Sequence, residues 1–199
     1  MAAPSSRKAL SHERIVDAAA RAIRREGYAG VGVADVMKEA GLTHGGFYAH
    51  FPSRDALLAA AMERAGRDGA ARISQRIAQR REEGASPLRA WVEAYLSDAH
   101  LKGCEGGCPV SALASEMPRQ SSEVREASAV RVQRLMQAVR QALPETAGEH
   151  AAAAVTSTLV GALQLARALG DNPKGRAVLA SARHAILDQY DREANRPSA

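Results

Sequence analysis

The chain is poor in the residues that staple, stack or span. It has two cysteines in 199 residues, too few for a disulfide scaffold, so packing alone must hold its core. It has one Trp, four Tyr and two Phe, and runs of β-branched residues are absent, which speaks against sheet. The opening Met1-Ala2-Ala3-Pro4-Ser5-Ser6-Arg7-Lys8 is followed by no apolar stretch of the signal-peptide kind. The longest uncharged apolar run, Ala151 to Ala166, contains Thr156, Ser157, Thr158 and Gln164 and falls short of the ~18–20 residues of a membrane span. These absences point to a soluble, cytoplasmic protein of a reducing compartment, with no membrane partner. There is also no G-x-S-x-G nucleophile elbow and no Gly-rich phosphate loop.

With 46% hydrophobic and 25% charged residues, the chain is neither disordered nor fibrous. Its length suits one large domain or two small ones. The net charge of +5 suggests a polyanionic partner, but the excess is spread. Residues 1–60 carry 8 Lys/Arg against 6 Asp/Glu, and residues 61–199 carry 19 against 16. Any nucleic-acid face therefore has to be found by position.

Apolar residues recur at helical spacing throughout, which predicts an all-α fold of about nine helices. Ile15, Val16, Ala19, Ala22 and Ile23 stripe a first helix over 8–26 that stops at Gly27. A short helix over 33–40 ends at Gly41, and a third over 44–50 is bounded by Pro52. Ser53 is a good N-cap for a long helix toward Arg81, with soft points at Gly66 and Gly69. Gly84-Ala85-Ser86-Pro87 breaks the chain before a helix faced by Leu88, Trp91, Val92, Tyr95 and Leu96. Lys102 to Pro109 reads as loop, followed by a short helix over 110–116 that ends before Pro118. Three further stripes follow: Val124/Val132/Leu135/Val139/Leu143, Val155/Leu159/Ala162/Ala166/Leu169 and Leu179/Ala182/Ile186/Tyr190.

Two short helices joined at Glu39-Ala40-Gly41-Leu42-Thr43 make a helix-turn-helix, about residues 32–51, braced by the first helix. Gly41 can take the positive φ that ends the first of them, and Thr43 can cap the next. Phe47 and Phe51, at i and i+4, read as core packed against the first helix. The segment His44-Gly45-Gly46-Phe47-Tyr48-Ala49-His50 is odd for a structural helix, since each Gly costs roughly 1 kcal/mol against Ala. Either a close approach to DNA or tight packing on a neighbouring helix would account for the glycines. Thr43 and His44 lie at the end that enters a major groove, where His44 reads as a donor to a guanine edge or as a solvated side chain. Tyr48 and His50 can bond phosphates. Arg54 sits in the first turn of the Ser53-capped helix, where the macrodipole disfavours a cation, and a phosphate bound there would account for it. Arg7, Lys8 and Arg14 form a basic arm or an ordinary solvated tail.

The stretch Gly27-Tyr28, followed by Val33-Ala34-Asp35-Val36-Met37-Lys38-Glu39-Ala40-Gly41-Leu42-Thr43-His44-Gly45-Gly46-Phe47-Tyr48-Ala49-His50-Phe51-Pro52-Ser53-Arg54-Asp55-Ala56-Leu57, resembles the DNA-binding domain of TetR/AcrR-family repressors. The resemblance covers residues 9–69. It implies a homodimer whose recognition helices read a palindromic double-stranded DNA operator. It implies DNA contacts by Thr43, His44, Gly45, Tyr48, His50 and Arg54, and a second domain over 70–199 for effector sensing and dimerisation. Where family members often carry Thr or Ser, this chain has Val31-Gly32, so a hydroxyl contact to phosphate is missing there. The last two stripes, rich in small residues, would then form a four-helix dimer interface; packing within one chain is the alternative.

Within the second domain, Gly107-Cys108-Pro109-Val110-Ser111-Ala112-Leu113-Ala114-Ser115-Glu116 resembles a stretch in a TetR subgroup that includes repressors of drug-efflux and electrophile-response genes. That implies an oxidant- or electrophile-sensing thiol at Cys108, with Cys104 beside it. From the residues alone, Cys108 reads as a small buried hydrophobe, as a thiol at a helix N-terminus, or, with His100 and Cys104, as a soft-metal ligand. No fourth ligand is evident, His150 and His184 read as surface residues, and no metal or cofactor is assigned. Trp91, Tyr95 and His100, with Met117 and Met136, are the candidate walls of an effector pocket, although Trp91 and Tyr95 also read as core. The function expected is a non-enzymatic repressor released by a small molecule or by thiol modification, through a shift of the helix that starts at Ser53. The alternative is an all-α thiol-dependent redox enzyme using Cys104 and Cys108.

Overall fold

The structure, a computed structural model, describes residues 7–191. Among them are nine α-helices, two short 3-10 helices and no strand. The α-helices are α1 (Arg7–Gly30), α2 (Val33–Glu39), α3 (Arg54–Glu82), α4 (Pro87–Tyr95), α5 (Asp98–Lys102), α6 (Pro109–Leu113), α7 (Ser122–Ala142), α8 (Ala151–Leu169) and α9 (Pro173–Tyr190). They fall into two compact units. One takes the chain up to Gly69 together with Glu105–Arg131, and the other takes Ala70–Cys104 with the chain from Val132 onward.

In the first unit, Ile15, Ala19 and Ile23 of α1 are buried, as are Met37, Phe47, Leu58 and Met62. Each of the Ile, Leu, Met and Phe side chains contributes about 1.5–3 kcal/mol of transfer free energy. The α1 helix breaks at Gly27 (φ 76, ψ 174), a backbone region essentially reserved for glycine. The long helix runs unbroken through the soft points at Gly66 and Gly69, and both glycines are points of close approach. A Cβ at Gly66 would fall 2.2 Å from Arg131 Cδ, and one at Gly69 would fall 2.9 Å from the Gly107 carbonyl oxygen.

In the second unit, Ser86 caps α4 by accepting from the Arg89 N–H at 3.1 Å, with Pro87 in the first turn. Ser97 caps α5, a helix that the periodicity did not mark. The α8 helix is long and apolar enough to cross a membrane by length and composition, longer than the stretch read from the sequence. Its stripe of Val155, Leu159, Leu163 and Ala166 is buried, facing the α9 stripe of Leu179 and Ile186. Three other boundaries differ from expectation. Residues 44–49 form a 3-10 helix, the tighter form used for short runs, and two adjacent glycines weaken the α alternative. The short helix after the Gly-rich loop is α6, Pro109–Leu113. Pro118 lies inside a second 3-10 helix, Met117–Arg119, instead of after a helix end.

Candidate nucleic-acid interface

The chain reverses after α2 because Gly41 takes φ 68. Its N–H donates to the Lys38 carbonyl at 2.9 Å and that of Leu42 to Met37 at 2.9 Å, closing the last carbonyls of α2. The following 3-10 helix is anchored from beneath. Phe47 and Phe51 are buried and stack with centroids 5.8 Å apart, and Phe51 stacks on His12 of α1 at 4.6 Å. Both phenylalanines are thus core, as their spacing implies. With these two facing inward, Thr43, His44, Gly45, Tyr48 and Ala49 are exposed, and Tyr48 is 75% exposed.

The two glycines of this helix answer the question the sequence left open. A Cβ at Gly45 would meet nothing within 4 Å, and one at Gly46 would make only ordinary contacts, with Met37 Cε at 3.7 Å and Thr43 Oγ1 at 3.9 Å. Neither has a positive φ. Packing within the unit therefore requires neither glycine, and Gly45 leaves a bare strip of backbone beside an exposed phenol. Thr43 occupies the cap position but makes no side-chain cap bond, which corrects the capping expectation. His50 is half-buried, with its Nδ1 buried and unpartnered. Burial, then the nearby His12 and Lys8, lower its pKa.

Arg54 is placed differently from expectation. The cap above it is satisfied locally, since Ser53 Oγ accepts from the Ala56 N–H at 3.0 Å. The Arg54 guanidinium donates from Nε to the Val31 carbonyl at 3.1 Å and from Nη2 to the Tyr28 carbonyl. These charge-assisted bonds offset the unfavourable dipole, so the cation needs no phosphate to account for it. Arg7 and Lys8 of the expected basic arm lie on the first turn of α1, and with Arg14 they are exposed.

Sequence reasoning missed the partners of Tyr28. This buried residue donates its N–H to Glu116 Oε2 at 2.9 Å, and its hydroxyl lies 3.0 Å from Ser128 Oγ. Ser128 donates to the Val124 carbonyl at 2.7 Å, which leaves the phenol as donor. Burial, with the Glu116 carboxylate adding to it, pushes the phenol up to about 12. Buried Ser128 and Arg131 replace apolar residues in the α7 stripe. Arg24, also buried, donates from Nη1 to the Ala65 carbonyl at 3.2 Å and the Gly107 carbonyl at 3.3 Å.

In the second unit Trp91 and Tyr95 are buried and stacked at 5.3 Å and 17°, which is core packing. His100 lies edge-on to Tyr95 at 4.8 Å. A cavity of about 270 Å³ lies nearby on different residues, among them Arg76, Gln79, Glu83, Glu93 and Ser97. Neither Trp91, Tyr95 nor His100 lines it. In sequence these charges resemble any solvated helix face, so nothing marked them. Cys104 is half-buried and Cys108 is 6% exposed. Cys108 precedes Pro109 at the start of α6, and its carbonyl accepts from Ser111 Oγ at 2.9 Å. Among the described residues no group of three or more His, Cys, Asp or Glu is placed to hold a metal ion.

Comparison with known proteins covers both halves of the chain. Residues 15–61 match the bacterial regulatory proteins of the tetR family, and residues 85–178 match the C-terminal domain of LmrA/YxaF-like transcriptional regulators. An uncharacterised HTH-type transcriptional regulator of Mycobacterium tuberculosis is 30% identical over 173 residues, covering 80% of this chain and 85% of that protein. The HTH-type transcriptional regulator LmrA of Bacillus subtilis is 29% identical over 160 residues, covering 77% and 81%. Among solved structures, Escherichia coli NemR in its reduced form shares the fold with a TM-score of 0.71 at 22% identity, covering 90% of this chain and 96% of that one.

Proposed function

The chain belongs to the TetR family of bacterial transcriptional regulators, and on that premise we propose that its operator is read by the 3-10 helix His44–Ala49 and its flanks. The observation that carries this is Gly45, whose missing side chain leaves open space beside a Tyr48 that is 75% exposed. In this reading Thr43 and His44 meet base edges, while the Gly45 backbone lies against the sugar-phosphate chain. The Tyr48 hydroxyl and the His50 ring edge opposite its buried Nδ1 bond phosphates. Arg54 contributes from behind, through the backbone that it holds.

The protein acts on chromosomal DNA in the cytoplasm as a homodimer, with residues 9–69 as its reading head. Leu165 and Leu169 of α8, 61% and 46% exposed, support a second copy covering that helix. Two heads fixed in this way match half-sites about one helical turn apart on a palindrome. Residues 70–199 carry the effector response, and the cavity bordered by Arg76, Gln79 and Ser97 supports a polar small molecule. Modification of Cys108 is the other route to release. Binding of either kind favours a state whose heads no longer match the operator spacing.

The experiment is selection of duplexes from random DNA by the purified protein, followed by affinity measurement. A palindromic sequence should be enriched, with binding that weakens steeply as salt rises. His44→Ala should relax the preference at one base position by about 1–3 kcal/mol. Tyr48→Phe should weaken all sites alike. If selection enriches nothing, the reading is wrong.

A further inference from the structure

We propose that the Tyr28 peptide is a mechanical junction, and that Glu116 and Arg54 are positioning residues that set the operator-reading helix through it. The inference rests on the DNA-binding reading above.

Gly27 is where the helical ladder of α1 is interrupted. Its φ of 76 ends the regular part of α1, so the Tyr28 N–H opens a fresh turn and has lost its helical acceptor. The Glu116 carboxylate fills that place at 2.9 Å, an anion at the N-terminal end of a turn, where it is favoured. The Tyr28 carbonyl accepts from Arg54, which also holds the Val31 carbonyl. The Tyr28 hydroxyl donates to Ser128. One residue is therefore gripped at its N–H, its carbonyl and its side chain by three side chains, one from α3 and two from the stretch Glu105–Arg131.

The placement of those stretches gives the grip its consequence. Val31 leads directly into Gly32, the cap of α2, and Arg54 is the first residue of α3. The reading helix lies between these two points, so its ends are referenced to the Tyr28 peptide. Glu116 and Ser128 belong to the stretch after the Gly-rich loop. Displacing Glu116 releases the Tyr28 N–H, tilts the peptide and carries the start of α2 and the start of α3 with it. A Cβ on Gly27 would fall 2.6 Å from a Glu116 oxygen, so the bare glycine is what lets the carboxylate reach the Tyr28 N–H.

The test is a double-mutant cycle on affinity for a duplex selected by the wild-type protein, with amide hydrogen exchange in parallel. Glu116→Ala should weaken binding about ten-fold, as expected for a lost hydrogen bond to a charged group. It should also quicken exchange across Val33–Ala49. Glu116→Gln keeps an acceptor for the Tyr28 N–H and should retain most of the affinity. Glu116→Ala combined with Arg54→Ala should lose less than the product of the single losses, because each alone already frees the same peptide. If Glu116→Ala fails to fold, Ser128→Ala should show the same pattern of faster exchange and weaker binding. Losses that multiply would overturn the junction. So would a Glu116→Ala protein with a lower melting temperature whose folded fraction binds as tightly as wild type, with exchange unchanged over Val33–Ala49. Absence of any enriched duplex would instead remove the DNA-binding reading itself.

Discussion

The ring Nδ1 of His100 lies 2.7 Å from the carbonyl oxygen of Tyr95, five residues back in the same chain. That contact makes Nδ1 the donor and fixes the tautomer of the ring. Burial is the main cause that lowers its pKa to about 4, with Arg167 and Arg76 adding to it against the favourable Tyr95 bond. In the unfolded chain the group titrates near its ordinary value of about 6.5. Between those values the unfolded state binds a proton that the folded state does not. Stability should therefore be level above about pH 6.5 and fall as pH drops toward 4, by about 3 kcal/mol from this residue alone. Denaturant titrations across that window should show the slope, and His100→Gln should flatten it.

Gly45 separates stability from binding. A methyl group there meets no protein atom within 4 Å and reduces the freedom of the unfolded chain. Gly45→Ala should hold or raise the thermal midpoint, in line with a gain of about 0.4–1 kcal/mol. It should nonetheless weaken operator binding about ten-fold by holding the helix off the DNA. Equal affinity in the variant would show that no backbone approaches there.

Leu165 offers the same kind of separation for assembly. It is 61% exposed on α8, so Leu165→Glu places its charge in water in a lone chain and in an interface in a dimer. Light scattering should then report half the wild-type mass, with a helical circular dichroism spectrum retained. Operator affinity should fall, because two linked heads bind with a high effective concentration and one does not. An unchanged mass would move the interface elsewhere.

The two cysteines should differ in rate. Cys104 is half-buried whereas Cys108 is 6% exposed and packed at the start of α6. Reactivity follows thiolate character and access, so a maleimide should label Cys104 first, with Cys108 following only as the unit opens. Cys108→Ser should abolish DNA release by a quinone if release runs through that thiol. Persistent release in that variant would assign the response to a non-covalent effector.

What the sequence made visible was whatever repeats or is conformationally demanding. The α1 stripe of Ile15, Val16, Ala19, Ala22 and Ile23 is buried as spaced, because helical period fixes which side chains share a face. Gly41 and the Phe47/Phe51 pair placed the turn and the inward side of the 3-10 helix His44–Ala49, which by elimination exposed the other. What stayed hidden depends on partners distant in the chain. Arg54 reads alone as a misplaced cation, and only its bonds to Val31 and Tyr28 show why it is tolerated. Ser128 and Arg131 interrupt an apolar stripe, and their place in the core follows from Tyr28 and Gly66, many residues away. Gly66 and Gly69 looked like weak points because propensity is a local quantity, whereas their role is to admit Arg131 and the Gly107 carbonyl.

The first compact unit is assembled from two separated lengths of chain, and this bears on anyone who would treat the reading head as a cassette. A fragment cut at Gly69 would leave behind the carboxylate that holds the Tyr28 N–H, the hydroxyl that holds its phenol and the arginine that lies over Gly66. Chimeras that graft only the first 69 residues onto a foreign sensor would inherit the residues proposed to touch DNA and lose those proposed to align them. On that proposal, a transplant that keeps its specificity has to carry Glu105–Arg131 along, and a swap at that inner seam should retune the head while leaving His44–Ala49 unaltered.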